Sequence, residues 1–268
     1  MTDGATRVFA VLGDPVAHSL SPAMQNAAFR ALGLPAAYVP LRCSSQDLSA
    51  LMQALGRAGG GGNITVPHKE TAASAVDVCL DLAATVHSCN TFWNEDGQTV
   101  GDNTDVHGVL EALHQLEVSD APWFIAGTGG GARAAVVAAR ELGVPVAVRS
   151  RDPGRQSRFE GWICSRGVAL ASPSDCRVLI NSTPLGLYPG DPLPVEPGRF
   201  PRAEIVFDMV YRPGETSWVR TMRPLVRRAA DGREMLVAQG AAAFERWFPS
   251  KQAPVEIMRA AVNAALRS

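Results

Sequence analysis

The sequence predicts an α/β fold in two domains, each built on a mainly parallel sheet. Three observations carry that expectation. Apolar runs of strand length alternate with helix-length periodic segments, the pattern of βαβ units. A glycine-rich turn, "GTGGGAR", stands between one such run and a helix in the second half. The length of 268 residues fits one large domain or two modest ones, and affords a core in either case.

The elements follow in order. "RVFAVLGDP" is a buried-type strand that breaks at Gly13-Asp14-Pro15. "SPAMQNAAFRALG" follows as a helix, with Ser21 suited to the N-cap and Pro22 to the first turn. Met24, Ala28 and Leu32 share one face, and Gly33 sits at its C-terminal end. "AAYVPLRC" reads as a strand, "SQDLSALMQALGRAGG" as a helix and "GNITV" as a strand. "CNTFWNEDGQTVGDN" reads as a hairpin turning at Asp96-Gly97. A second unit starts near residue 121. "PWFIAGTGGGARAAVVAARELGVPVAVRSRD" gives strand, glycine turn, helix, a stop at Gly143, and strand. "RVLINSTP" and "EIVFDMVY" are later apolar runs with polar ends. "YPGDPLPVEPGRFP" reads as a surface loop and the tail from Ala241 as helical.

Composition narrows the function. Hydrophobic residues make up 46% and charged residues 19%, as in a soluble globular protein. A net charge of -1 argues against nucleic acid or a membrane surface as partner, since neither would be steered electrostatically. The opening residues carry no secretory-signal pattern, and no run approaches the roughly 20 apolar residues of a membrane span. Cys43, Cys79, Cys89, Cys164 and Cys176 are odd in number and lack CxxC spacing, which reads as free thiols in a cytoplasmic setting. No His or Cys cluster supports a metal.

In "FIAGTGGGAR", Gly127, Gly129 and Ala132 form GxGxxA after a strand and before a helix. Glycines there allow a tight turn and let a pyrophosphate reach the helix N-terminus. This makes the second unit a Rossmann-like dinucleotide-binding domain. An NAD site places Asp or Glu at the end of the next strand. Here the chain reads "VRSRDPGR", where Arg151 and Arg155 suit a 2′-phosphate, so NADP is favoured over NAD. Asp152 works against that choice.

The first unit carries polar residues at strand ends: Ser19 and Ser21 in "AHSLSP", Asn63, Thr65 and Lys69 in "NITVPHK", Asn90 in "CNTF" and Asp105 in "GDNTD". Each has a structural excuse alone; Ser21 and Asp105 both suit an N-cap. Lys69 at a helix start opposes the dipole. It becomes sensible when Asp105 pairs with it and a substrate hydroxyl lies between them. Oxidation of a secondary alcohol by hydride transfer needs such a proton acceptor, with a nicotinamide taking the hydride.

The ordered motifs "GDPVAHSLSP", "GGNITVPHK", "CNTF", "GDNTD", "GTGGGAR", "INSTPLG", "DMVY" and "GREMLVAQ" resemble the shikimate dehydrogenase family over nearly the whole chain. The resemblance implies NADP-dependent, reversible conversion of shikimate to 3-dehydroshikimate in aromatic biosynthesis. It implies a substrate domain over 1–105, completed by helices over 238–268, and a nucleotide domain over 106–237. It assigns Ser19 and Ser21, helped by Tyr211, to the substrate carboxylate. Thr65, Asn90, Asp105 and Gln239 would hold ring hydroxyls, and Lys69 would accept the proton. Gly127, Thr128, Gly129, Gly130 and Gly131 would hold the pyrophosphate. Ser150, Arg151 and Arg155 would clamp the 2′-phosphate, and Thr183, Met209 and Gly232 would lie near the nicotinamide. The partners expected are small molecules, in a cytoplasmic monomer or homodimer.

Departures from the family pattern touch specificity more than chemistry. Gln25 replaces a common histidine, and Leu187 a common methionine. Ser150 and Asp152 replace the clamp's usual Asn and Thr, and Arg233 a usual leucine. They leave quinate/shikimate or aminoshikimate dehydrogenases open, although quinate users often enlarge one of the two serines to threonine. A catalytically silent NADP-binding regulatory protein is the reading from another class. Loss of Lys69 or Asp105 would favour it, and both are present.

Overall fold

The computed structural model describes residues 6–267, so the first five residues of the opening and Ser268 of the expected C-terminal segment lie outside it. The chain divides into two compact units. One holds the chain up to Asp105 together with Leu236–Leu266, and the other holds Val106–Met235.

The first unit has a six-stranded sheet in the order β2-β1-β3-β5-β6-β4. Its strands are β1 (Arg7–Gly13), β2 (Ala36–Arg42), β3 (Gly61–Ile64), β4 (Val78–Cys79), β5 (Thr91–Glu95) and β6 (Gln98–Asp102). β1 runs parallel to β2 and β3, and β4 parallel to β6, while β5 is antiparallel to both its neighbours. The antiparallel pair β5–β6 is the expected hairpin. Its two turn residues, Asp96 (φ 51°) and Gly97 (φ 83°), both take the left-handed conformation that a tight hairpin turn requires.

Helices α1 (Ser21–Ala31), α2 (Leu48–Arg57), α3 (Lys69–Ala75) and α4 (Asp81–Val86) belong to this unit. Ala10, Leu12, Leu48, Met52, Ile64, Ala72 and Phe92 form one part of its core. The C-terminal helices complete another: Phe244, Trp247 and Phe248 pack against Phe9 and Phe29 in tilted and edge-on pairs at centroid separations of 4.9–6.1 Å. Aromatic pairs at these distances contribute beyond their buried area. Close approach of sheet strands depends on Gly62, where an added Cβ would strike the Ala10 carbonyl.

Two sequence expectations about α1 are corrected. Ser21 is its first residue rather than its N-cap; Leu20 holds that place with no side-chain cap. Leu32 lies past the helix end and is exposed. The buried face is instead Met24, Gln25, Ala27, Ala28 and Phe29.

The second unit has a five-stranded, wholly parallel sheet in the order β11-β10-β9-β7-β8. The strands are β7 (Trp123–Ala126), β8 (Val146–Arg149), β9 (Val178–Asn181), β10 (Ile205–Asp208) and β11 (Arg228–Ala230). The order reverses beside β7, which leaves a switch point at the carboxyl ends of β7 and β9, where ligands bind in such sheets. The unit's helices are α5 (Asp105–Gln115, from its second residue), α6 (Gly130–Glu141), α7 (Pro153–Ser165) and α8 (Ser217–Met222); α9 (Arg233–Trp247) crosses into the first unit, which also holds α10 (Val255–Ala265). The Pro- and Gly-rich segment over 188–201 is irregular, but it is not purely a surface loop. Val195 and Phe200 are buried, Phe200 against Phe124 at 4.4 Å, and the Val195 carbonyl accepts from Trp218 Nε1 at 3.1 Å. Burial of those two side chains outweighs the local preference for exposure.

Candidate active site

Lys69 is the first residue of α3. Its backbone carbonyl accepts from Cys89 N at 2.9 Å, which ties the helix start to the strand entry beside Asn90. The preceding His68 is buried. Its Nε2 meets the Cys43 carbonyl at 2.9 Å and its Nδ1 meets Ser45 Oγ at 3.1 Å, so the ring presents N–H to the carbonyl and accepts from the serine. Lys69 is thus held from both sides before its side chain does anything.

The side chain reaches Asp105 Oδ2 at 2.5 Å, with the two groups 21% and 6% exposed. Asp105 does not serve as an N-cap. It is the first residue of α5, and its own N–H donates to Asn103 Oδ1 at 3.0 Å. Its second oxygen accepts from Asn90 Nδ2 at 2.9 Å. Asn90 Nδ2 also lies 3.4 Å from Gln239 Oε1, and Gln239 Nε2 donates to the Leu236 carbonyl at 2.9 Å. Lys69, Asn90, Asp105 and Gln239 therefore form one cluster. A carboxylate against the ammonium offsets the helix dipole at the Lys69 position.

Thr65 stands four residues before Lys69, with its N–H on the Leu12 carbonyl at 2.9 Å. Gly13 makes room for it, because a Cβ there would strike Thr65 Cγ2. Ser19 Oγ accepts the Ser21 N–H at 3.3 Å, so Ser19 takes the cap-like role that the sequence suggested for Ser21. Ser21 Oγ is instead a hydrogen-bonding neighbour of the buried Tyr38 hydroxyl. Gln25 is wholly buried and donates to the Gly240 carbonyl at 2.8 Å.

Arg246 and Asp102 support the cluster from outside. Asp102 is buried and accepts from Arg246 Nε at 2.9 Å and from the Asn103 N–H at 2.7 Å. Sequence reasoning missed this pair, along with Thr91 and Thr104. Their partners lie on other segments, and only the polar ends of "CNTF" and "GDNTD" hint at them.

In the second unit, the glycine loop joins β7 to α6. Gly127 has φ 115°, and a Cβ there would strike Ser182 Oγ. Gly129 is the N-cap of α6 with no side-chain cap, and nothing lies within 4 Å of where its Cβ would be. Gly130 and Gly131 open the helix, and Thr128 is half-buried between the glycines. An uncapped helix start faced by open space suits a pyrophosphate. Thr183 is held by Asn181, whose Oδ1 accepts both the Thr183 N–H at 3.0 Å and its hydroxyl at 2.7 Å. A Cβ on Gly131 would sit 3.0 Å from Met209 Sδ, and one on Gly232 would strike the Met209 backbone. Gly131, Thr183, Met209 and Gly232 are thereby gathered at one corner, at the switch point. Half-buried Tyr211 follows β10 in this unit.

Ser150, Arg151 and Arg155 follow β8. Asp152 is the N-cap of α7 and accepts the Arg155 N–H at 3.0 Å, which pulls its pKa down. Its charge is engaged at a helix start, not presented at the tip of β8. Ser150 Oγ accepts the Asp152 N–H at 3.2 Å. Arg151 and Arg155 are exposed and make no ion pair among the described residues. Arg233 folds onto Asp231 of its own loop at 2.8 Å.

Asn181 is oriented by Asp208, whose Oδ1 accepts from Asn181 Nδ2 at 2.8 Å while Oδ2 accepts from Thr216 at 2.7 Å. Burial raises the Asp208 pKa to about 6 against these hydrogen bonds. The folded pKa exceeds the unfolded one, so this group's contribution to stability is full below about pH 4 and is lost as pH rises through about 6. Asp208→Asn is expected to gain stability relative to wild type over that window, by about 3 kcal/mol at neutral pH. Denaturant unfolding of both proteins at pH 4 and pH 7 measures it; a pH-independent difference contradicts it.

No helix among the described residues is long and apolar enough to cross a membrane, and no group of three metal-ligating side chains comes together among them. The shikimate dehydrogenase substrate binding domain family matches residues 11–92, and the shikimate 5'-dehydrogenase C-terminal domain family matches residues 232–262. A shikimate dehydrogenase (NADP(+)) of Synechococcus sp. (strain JA-2-3B'a(2-13)) is 38% identical over 98% of this chain and 97% of its own. One from Halobacterium salinarum (strain ATCC 29341 / DSM 671 / R1) is 36% identical over 97% and 99%. The crystal structure of shikimate 5-dehydrogenase from Thermus thermophilus in complex with NADP(H) and shikimate is 34% identical. It superposes with a TM-score of 0.88, covering 96% of this chain and 99% of that one. With that identity sustained over nearly its full length, the chain belongs to the shikimate dehydrogenase family.

Proposed function

We propose that this protein is an NADP-dependent shikimate dehydrogenase, interconverting shikimate and 3-dehydroshikimate in aromatic biosynthesis. The observation that carries the reading is the Lys69–Asp105 pair, held by Asn90 at the end of the first unit's sheet. The relatives named NADP-dependent shikimate dehydrogenases support the substrate and cofactor. When bound, NADP supplies the acceptor for the hydride that leaves the alcohol carbon.

The protein's own groups do the rest. Ser19 and Ser21 donate hydroxyl hydrogens to the substrate carboxylate, with Tyr211. Thr65, Asn90, Asp105 and Gln239 hold the ring hydroxyls. Lys69, as the free amine, takes the proton of the reacting hydroxyl, and Asp105 stabilises the ammonium that results. Gly127–Gly131 and the start of α6 bind the pyrophosphate, Arg151 and Arg155 with Ser150 bind the 2′-phosphate, and Thr183, Met209 and Gly232 border the nicotinamide. The substrate-binding domain comprises 1–105 with 238–268, and 106–237 binds the nucleotide. Five free cysteines support a cytoplasmic setting.

Ser21→Ala is expected to raise KM for shikimate by roughly 5- to 150-fold, from the 1–3 kcal/mol of a lost donor to a buried carboxylate. Ser21 caps nothing, and the loss of its hydrogen bond to Tyr38 should cost about 0.5–1.5 kcal/mol of stability. Ser19→Ala should both raise KM and cost about 1 kcal/mol of stability. A Ser21→Ala protein that melts early with an unchanged KM contradicts the assignment.

Initial rates with shikimate and quinate, each with NADP and NAD, test the function as a whole. Shikimate with NADP is expected to give the highest kcat/KM. Preference for quinate would move the protein to the quinate/shikimate branch, and inactivity in all four combinations would remove it from catalysis.

A further inference from the structure

We infer that Tyr38 and Thr91 are positioning residues for the Lys69–Asp105 pair, acting through a one-directional chain of buried hydrogen bonds that ends on Asp105. The inference rests on the reading of Lys69 and Asp105 given above.

The chain starts on β2, where the Tyr38 hydroxyl donates to Asn63 Oδ1 at 2.7 Å. Asn63 Nδ2 donates to Thr91 Oγ1 at 2.9 Å and to the Asn90 carbonyl at 3.1 Å. Thr91 Oγ1 donates to Asn90 Oδ1 at 3.1 Å. Asn90 Nδ2 then donates to Asp105 Oδ1 at 2.9 Å, and Lys69 closes on Oδ2.

Two backbone groups set the direction. The Asn90 carbonyl only accepts, so the Asn63 atom facing it is Nδ2, and Oδ1 is turned toward Tyr38. The Thr104 N–H only donates, at 2.7 Å, so Asn90 faces it with Oδ1 and turns Nδ2 toward Asp105. Thr91 accepts from Asn63 and has its own proton left for Asn90. Thr104 Oγ1, 3.2 Å from Thr91 Oγ1, takes a second hydrogen of Asn90 at 3.0 Å and closes a small ring.

Each donor therefore points toward Asp105. Dipoles aligned this way polarise one another and favour negative charge at the end of the chain. Tyr38, Asn63, Asn90, Thr91 and Thr104 are all at most 5% exposed. Breaking any link inside that environment leaves a desolvated group unpaired, so the chain is stiff. Stiffness matters because a misplacement of about 1 Å at the reacting groups costs roughly a hundredfold in rate. Tyr38 and Thr91 themselves are too buried to meet a ligand; Thr91 acts through Asn90, and Tyr38 through Asn63, with Ser21 as its other neighbour.

The test compares Thr91→Val, Tyr38→Phe and Thr91→Ser with wild type in the full-length enzyme. Valine keeps the shape of threonine, and it leaves Asn63 on the Asn90 carbonyl and Asn90 on the Thr104 N–H, so folding survives. The readouts are kcat, both KM values, and the primary isotope effect with shikimate deuterated at the oxidised carbon. Thr91→Val and Tyr38→Phe are expected to lower kcat roughly 10- to 100-fold, with each KM of Thr91→Val within about threefold of wild type; Tyr38→Phe also takes a hydrogen-bonding neighbour from Ser21, so its KM for shikimate rises as well. The isotope effect should rise, because chemistry replaces later steps as rate-limiting. Thr91→Ser, which restores the hydroxyl, should return to within about threefold of wild-type kcat. Folded Thr91→Val and Tyr38→Phe proteins with wild-type kcat overturn the inference, as does a Thr91→Ser protein as slow as Thr91→Val. An active wild type with unaffected variants overturns this inference alone; a wild type inert toward shikimate overturns the activity and the inference together.

Discussion

Lys69→Ala is expected to lower kcat by roughly a hundred- to ten-thousand-fold, the range over which a positioned acid or base accelerates a reaction. KM for shikimate and for NADP should change far less. The lysine sits 2.5 Å from Asp105 Oδ2, and Asp105 keeps its Asn90 hydrogen bond when the lysine is gone. The binding groups at Ser19, Ser21, Thr65 and Gln239 are untouched by the change. An interaction made mainly in the transition state shows this split between kcat and KM. Steady-state kinetics on the purified, folded variant measures it, and a near-wild-type kcat contradicts the role of Lys69.

The second large effect concerns the cofactor. Arg151→Ala is expected to raise KM for NADP by roughly 10- to 100-fold, from about 1.5–3 kcal/mol for a charge-assisted contact. KM for NAD should stay nearly unchanged, since NAD lacks the 2′-phosphate. The sequence left Asp152 as a competing influence, able to serve an unphosphorylated ribose or repel the phosphate. The geometry weakens that competition, because the carboxylate is occupied with the Arg155 N–H at the start of α7. Arg151 and Arg155, by contrast, stand exposed and without ion pairs among the described residues. A wild-type enzyme that uses NAD better than NADP would make Asp152 the ribose ligand instead.

The parts of the structure legible in the sequence are those decided locally. Asp96-Gly97 is one, because residues that tolerate positive φ announce a tight hairpin. The glycine turn before α6 is another, since close packing against Ser182 excludes a side chain at Gly127. The start of α1 was misread by one residue: Ser21 follows the cap position, and Ser19 supplies the acceptor. β11 carries two alanines and an arginine, with no apolar run to mark it, and exists because β10 offers it an edge. Val195 and Phe200 are hidden in a Pro- and Gly-rich stretch whose local chemistry says loop, and only the tertiary core explains their burial.

At the candidate site, the same division holds. Lys69 was legible because a cation at a helix start asks for a partner. The network behind it was not, because Asn63 and Asn90 are 27 residues apart and Asn90 and Gln239 are 149 apart. Asp208 and Asn181 likewise meet only through adjacent parallel strands, 27 positions apart in the sequence.

The most direct measurement of the central claim is product analysis of purified wild-type protein with shikimate and NADP. The expected result is reduced NADP and 3-dehydroshikimate in equal amounts, formed at a rate proportional to enzyme and reversed on adding excess product with reduced NADP. NADP left oxidised, or shikimate converted to any other product, would contradict it.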